Sequence, residues 1–263
     1  MADVTARGVR LHVQRIAGAA GRPPIVFLHG LVMDNLSSLY FTLANPAARF
    51  GDVILYDLRG HGMSERPPAG YTLGDMVEDL AALLDALGVA RPVTLVGNSF
   101  GGLLALAFAA AFPDRAAGLV LIDAHLGEPG WAERMAATLA LQGEERDRRI
   151  AESFASWLGR HSERKSTRLA KSAAALVYET SLVRDLRASP SLGAADLSRL
   201  RCPVLALYGA SSDLRAEAGR LSEALPSCDL RIYEGCTHSI LWEATARVRD
   251  DVLTFVSTHP RAG

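Results

Sequence analysis

Ser99, Asp213 and His238 have the types and chain positions needed to build an activated serine nucleophile. A serine is a poor nucleophile near neutral pH, so it needs a base, and the base needs an orienting acid. Ser99 lies at the centre of Gly97-Asn98-Ser99-Phe100-Gly101. An apolar β-type run, Val93–Val96, precedes this stretch, and an apolar helical run, Gly102–Phe108, follows it. Gly-x-Ser-x-Gly between strand and helix predicts a sharp turn with the serine at its tip, because side chains at the two glycine positions would collide across the bend. The helix that starts there aims backbone N–H groups at the same spot.

Of the seven histidines, His238 has the setting of a base. It sits in the loop Gly235-Cys236-Thr237-His238 after the last predicted strand and before a helix expected from about Glu243. His12 falls in an early strand, His161 in an insertion and His259 near the terminus. The acid is expected after the preceding strand, where Val204–Tyr208 leads into Gly209-Ala210-Ser211-Ser212-Asp213. Asp213 fits both as triad acid and as N-cap of a helix over Leu214–Leu225. Asp123, at the end of another strand, is its rival.

The elements that must position these groups alternate. Strands are predicted at Val9–Ile16, Ile25–His29, Val53–Asp57, Val93–Val96, Leu119–Asp123, Val204–Tyr208 and Leu230–Tyr233. Most of the later ones are unbroken Val/Ile/Leu blocks, as in strands buried on both faces of a parallel sheet. Helical patterns lie between them; Tyr71–Leu87 has apolar residues at three- and four-residue spacing and ends at Gly88. This predicts an α/β fold, a mostly parallel sheet with helices on both faces. The alternation breaks at 124–200, where helices are expected over Trp131–Leu141, Glu145–Arg160 and Glu163–Thr180. The chain therefore divides into a core, 1–123 with 201–263, and a helical cap, 124–200. Such an insertion suits a lid over the strand ends, where ligands bind in open α/β sheets. A homodimer contact is its alternative use.

Composition narrows the function classes. The 263 residues are 49% hydrophobic and 22% charged, with a net charge of −1. No global field favours nucleic acid or an anionic membrane. The start shows no signal-peptide pattern, and the longest apolar stretch, Gly101–Phe112, is too short to span a bilayer. Three cysteines, Cys202, Cys228 and Cys236, read as reduced thiols in a cytoplasmic protein. Cys228 and Cys236 flank one strand and lie beyond disulfide reach, and Cys236 reads as a small filler. No Cys/His or carboxylate cluster has metal-ligand spacing, and no Walker-type loop appears, so no cofactor is expected.

The chain resembles the α/β-hydrolase superfamily over nearly its whole length. The resemblance rests on His29-Gly30 after a strand, Asp57-Leu58-Arg59-Gly60-His61-Gly62 after the next, Gly97–Gly101, Asp213 and His238, all in family order. It implies that Leu31 and Phe100 donate the two oxyanion-hole N–H groups, and that His29, Asp57 and His61 are scaffold. The elbow with Gly102 looks like that of the meta-cleavage C–C bond hydrolases. Two segments depart from that group: Leu31-Val32-Met33-Asp34 after His-Gly, and Ser239-Ile240-Leu241-Trp242 after the histidine. Esterases and type II thioesterases are similar in overall plan. The implied activity is acyl transfer from a small-molecule ester or thioester to water. The alternatives are C–C bond hydrolysis and a ligand-sensing receptor that keeps the fold. Asn35, Asn98, His125, Trp131 and Trp157 are the candidate substrate-pocket residues.

Overall fold

A computed structural model describes residues 2–127, 130, 131, 133, 134, 137, 163–225 and 227–258. Eight strands form one sheet in the order β1-β2-β4-β3-β5-β6-β7-β8. They are β1 (Ala2–Ala6), β2 (Val9–Ile16), β3 (Ile25–Leu28), β4 (Val53–Tyr56), β5 (Val93–Asn98), β6 (Ala116–Ile122), β7 (Val204–Gly209) and β8 (Cys228–Tyr233). β1 and β2 run antiparallel at one edge, and β2 pairs antiparallel with β4. All other pairings are parallel.

The unbroken apolar blocks are the strands buried on both faces. Alternate side chains of β3 serve opposite cores: Val26 and Leu28 join one cluster, Ile25 and Phe27 the other. β7 divides likewise, with Val204, Ala206 and Tyr208 on one side and Leu205 and Leu207 on the other. Helix α1 (Leu73–Ala86) and helix α2 (Phe100–Ala111) cover the first face. Thr72 and Asp75 form a capping box at the start of α1, which satisfies backbone donors that a helix end otherwise leaves open. α2 is apolar all round and buried over eleven of its twelve residues, as expected of a helix packed between sheet and neighbouring helices.

Between β6 and β7 the described residues are helical: α3 (Glu163–Glu179), α4 (Leu182–Ala188) and a turn at Ala194–Leu197. Leu176, Leu182, Leu186 and Leu197 enter the first core cluster. Asp185 accepts the Tyr71 N–H at 2.8 Å, and Ser189 Oγ accepts the Leu73 N–H at 2.9 Å, which ties this region to the start of α1. The helix expected over 145–160, with Trp157 and His161, lies outside the described residues. Helix α5 (Arg215–Ala224) follows β7, and α6 (Thr245–Thr258) covers the second face.

Three expectations need correction. β1 is a strand that the sequence does not announce, because an exposed edge strand has no apolar run. The helix after β7 starts at Arg215, with Leu214 in the N-cap position and no side-chain cap, so Asp213 is not its cap. Cys228 opens β8 rather than preceding it, and the three cysteines are unpaired.

Candidate active site

Ser99 occupies the turn between β5 and α2 at φ 54° and ψ −116°, a conformation costly for any residue but glycine. The surroundings over-determine it. The Ser99 N–H is donated to the Ile122 carbonyl at 2.9 Å, and Ser99 O accepts from Gly102 N at 3.0 Å. A Cβ on Gly97 would strike the Gly101 carbonyl, and one on Gly101 would strike the Leu28 carbonyl. The glycines thus permit the close approach of three backbone segments that holds the serine at the tip.

His238 Nε2 lies 3.1 Å from Ser99 Oγ, and His238 Nδ1 lies 2.9 Å from Asp123 Oδ1. The histidine loop is fixed from below: Glu243 accepts from Thr237 N at 2.7 Å and from Thr237 Oγ1 at 2.8 Å. Asp123 is fully buried at the end of β6. Its Oδ2 accepts the Gly209 N–H at 2.7 Å and its Oδ1 accepts the Ser212 hydroxyl at 2.5 Å. With the His238 N–H, that makes three donors on one side chain, the pattern of a carboxylate, which only accepts.

The carboxylate hydrogen-bonded to His238 is that of Asp123, not that of Asp213 as expected. The reason is the curl of the β7–α5 turn. Ser211 N donates to Cys236 O and Ser212 N to Gly209 O, which turns Ser212 inward onto Asp123 and leaves Asp213 exposed. Asp213 still acts at a distance. Burial opposes a charge on His238, but the Asp123 hydrogen bond and charge outweigh it, helped by Asp213 and Glu217, and hold its pKa above the ordinary 6.5. The ring nevertheless keeps 34% of its side chain exposed, enough for a base to meet substrate.

The Leu31 and Phe100 backbone N–H groups have no hydrogen-bond partner among the described residues. The loop carrying Leu31 is held by the residues expected as scaffold. His29 donates from Nδ1 to Gly30 O at 2.7 Å and accepts the Leu58 N–H at 3.0 Å. His61 donates from Nδ1 to Arg59 O at 2.8 Å and accepts the Val32 N–H at 2.8 Å. Asp57 accepts from Leu36 N and Met63 N, each at 2.8 Å. Asp34, not singled out by the sequence, accepts from Gly30 N and Asn35 N, each at 2.8 Å.

The pocket candidates divide. Asn35 is occupied locally, its Oδ1 accepting from Ser37 N at 3.0 Å. The Asn98 amide lies against Gly30. The Trp131 ring stacks on Phe100 with centroids 6.1 Å apart, and His125 lies between Trp131 and His238, at 5.0 and 5.9 Å. Trp157 is outside the described residues. Among the described residues no group of three or more His, Cys, Asp or Glu could hold a metal ion, and no helix is long and apolar enough to cross a membrane.

Two buried imidazoles set an acid limit on stability. Burial, followed by the charge of a neighbouring histidine, pushes the pKa of both His61 and His125 down to about 3. Each ring is neutral in the fold but takes a proton in the unfolded chain below 6.5. Their contribution is complete above that pH and is lost as pH falls toward 3. His238 is shifted the other way, so its contribution is constant across this window and fades only as pH rises through its raised pKa. Thermal melts between pH 7 and 4 should show Tm falling with the uptake of about two protons on unfolding. A flat profile would show that these rings are protonated in the fold.

A family model described as alpha/beta hydrolase fold matches residues 23–245. The chain is 40% identical over 115 residues to Lipase LipV of Mycobacterium tuberculosis (strain ATCC 25618 / H37Rv), spanning 44% of this chain and 42% of that protein. It is 29% identical over 275 residues to the 2-hydroxy-6-oxononadienedioate/2-hydroxy-6-oxononatrienedioate hydrolase of Burkholderia vietnamiensis, spanning 97% and 94%. The first curated relatives are matched over only 31% to 46% of their own length. The meta-cleavage product hydrolase of Pseudomonas fluorescens IP01 has the same fold, with TM-score 0.78 and 22% identity over 97% of this chain and 96% of that one. The match of the family model from the start of the parallel sheet to the final helix decides the matter: the chain belongs to the alpha/beta hydrolase fold family.

Proposed function

We propose that this chain is a serine hydrolase that cleaves a carboxylic ester or thioester through an acyl-enzyme on Ser99. The reading is carried by one observation, the unbroken chain of hydrogen bonds from Asp123 through His238 to Ser99. Ser99 Oγ attacks the substrate carbonyl while its proton passes to His238 Nε2. Asp123 fixes the ring with Nδ1–H inward and stabilises the imidazolium. The tetrahedral oxyanion is received by the Leu31 and Phe100 N–H groups; each such donor is worth about 3 kcal/mol in the transition state. His238 returns the proton to the leaving alcohol or thiol, and the acyl group stays on Ser99. Water then gives a proton to His238 and attacks the acyl carbon, and the acid is released as Ser99 recovers its proton. No cofactor takes part in these steps. The substrate is a small molecule, with Asn98, His125 and Trp131 as its contacts; His125 lies beside His238 and Trp131 on Phe100.

A fluorophosphonate should label Ser99 in the folded protein and leave Ser99→Ala unlabelled. A wild-type protein that never labels would refute an activated nucleophile and favour a ligand-sensing role. The relative that spans 94% of its length with this chain favours a second reading, hydrolysis of a ring-cleavage dienone. A panel of p-nitrophenyl esters, acyl-CoA thioesters and such dienones separates the two. Turnover confined to dienones would replace the ester reading.

A further inference from the structure

Three of the four consecutive N–H groups from Gly30 to Met33 are spent on holding the loop after β3. Gly30 N donates to Asp34 Oδ2 at 2.8 Å, Val32 N to His61 Nε2 at 2.8 Å and Met33 N to Leu31 O at 2.9 Å. The Leu31 N–H is the one left over among the described residues. The Met33 bond closes a three-residue turn around Val32, which sits at φ 68°. A γ-turn of this hand is rare and strained, and a left-handed φ is especially costly for a β-branched residue. Left to itself, Val32 would relax. Among the described residues, His61 supplies the only hydrogen bond to Leu31–Met33 from a distant part of the chain.

We propose that His61 is a positioning residue for the oxyanion hole: by accepting the Val32 N–H it holds the strained turn at Val32, and that turn keeps the Leu31 N–H aimed at the oxygen of the carbonyl that Ser99 attacks. This inference rests on the serine-hydrolase reading. His61 is buried, and its Nδ1 lies 2.8 Å from Arg59 O. A carbonyl only accepts, so the ring proton sits on Nδ1 and the Nε2 lone pair faces Val32. Burial above all keeps the ring uncharged, its pKa pushed down to about 3, so that lone pair stays available. The bonds to Val32 N and Leu31 O together fix the peptide that joins these two residues. His29 fixes the peptide before it, through Gly30 O at 2.7 Å, and the N–H of a trans peptide points opposite to its carbonyl. The loop also abuts the nucleophile's turn: a Cβ on Gly30 would lie 3.7 Å from Asn98 Nδ2, and one on Gly101 would lie 2.8 Å from His29 O. Without the His61 acceptor, Val32 relaxes to negative φ, both flanking peptides swing, and the Leu31 N–H leaves its line to the oxyanion.

The test compares His61→Asn with His61→Gln in the full chain. Asparagine carries its NH₂ near the Nδ1 position, so it keeps the bond to Arg59 O and loses the acceptor for Val32. Glutamine reaches the Nε2 position, so it keeps that acceptor and loses the Arg59 bond. Fluorophosphonate labelling to completion counts intact sites, and p-nitrophenyl acetate hydrolysis gives kcat and KM per labelled site. A trifluoromethyl ketone, whose adduct with a serine carries an oxyanion, reads the hole itself. His61→Asn should lower kcat about 10- to 100-fold with KM little changed, and weaken the ketone by a similar factor. His61→Gln should lose less than about 5-fold. Adding Val32→Gly to His61→Asn should raise kcat by about 3-fold or more, because glycine holds positive φ without the clamp. A role confined to folding would lower Tm or the labelled fraction and leave kcat per site and ketone affinity as they are. The inference is overturned if His61→Asn loses less than about 5-fold per labelled site, if His61→Gln loses as much as His61→Asn, or if Val32→Gly brings no recovery. Should His61→Asn not fold, the glutamine arm decides, and a loss there beyond about 5-fold overturns the inference. Those failures leave labelling of Ser99 intact in the wild type, whereas failure of the hydrolase reading abolishes it.

Discussion

Ser99→Ala and His238→Ala should each lower kcat/KM by about 10⁴- to 10⁶-fold, and the double variant should lose little more than either alone. The reason is geometric. Ser99 Oγ and His238 Nε2 are 3.1 Å apart, so the hydroxyl gains nucleophilicity only through that nitrogen, and the nitrogen has no other proton to take during attack. Removing one partner makes the other useless. The activity left over comes from substrate binding and the Leu31 and Phe100 N–H groups, which both substitutions leave in place. Neither variant should unfold. The turn at Ser99 is held by Gly97, Gly101 and the backbone bond to Ile122, not by the serine hydroxyl. Circular dichroism and thermal melts would establish that the fold survives, and turnover of the best substrate in the panel measures the loss. Multiplicative losses in the double variant would mean that the two side chains act independently, and the acyl-enzyme mechanism would fall.

The placement of Ser99 at a turn tip and of His238 in the loop after the last strand is legible in the sequence, because short-range rules fix both. Gly97 and Gly101 stand where no side chain fits, and His238 lies in the loop after a strand that could be read from its own residues. The same holds for β3 to β7, whose burial on both faces writes continuous apolar blocks. β1 was not legible: Ala2-Asp3-Val4-Thr5-Ala6 is an exposed edge, and its only local sign is the turn at Arg7-Gly8, where both residues take positive φ. The choice of acid lay beyond short-range rules. Asp123 and Asp213 both follow strands, and the order of the strands favours Asp213. What separates them is which residue of the turn after β7 faces inward, and that depends on two backbone bonds, one of them to Cys236 in another loop. Ser212 and Glu217 were missed for a related reason. In a turn and on a polar helix they read as solvent-facing, and only the packing of α5 against the loop after β6 buries them.

Asp123→Asn should cost about 10⁴-fold in turnover, through the wrong imidazole tautomer. Asp213→Asn should cost only a few-fold. In the native site Asp123 accepts from three donors, Gly209 N, Ser212 Oγ and His238 Nδ1. An asparagine can still accept from Gly209 through its carbonyl oxygen. Its NH₂ then faces Ser212 and His238 as a donor, so the Nδ1 of the ring must become an acceptor. That moves the ring proton to Nε2, the nitrogen that has to receive the proton of Ser99. Fluorophosphonate labelling should slow in parallel with turnover, because both need the same free lone pair. Asp213 bonds to neither ring nitrogen and is exposed, so its removal weakens a screened attraction and displaces the acidic limb slightly to lower pH. Asp123→Asn also costs stability, since a buried acceptor of three bonds is disturbed. A Tm measurement separates that loss from catalysis: the folded fraction can be assayed below its melting point, where the deficit in turnover should persist. If Asp213→Asn proves the more damaging substitution in protein that remains folded, the acid that serves His238 is not the one hydrogen-bonded to it, and the relay from Asp123 to Ser99 fails as an account of the chemistry.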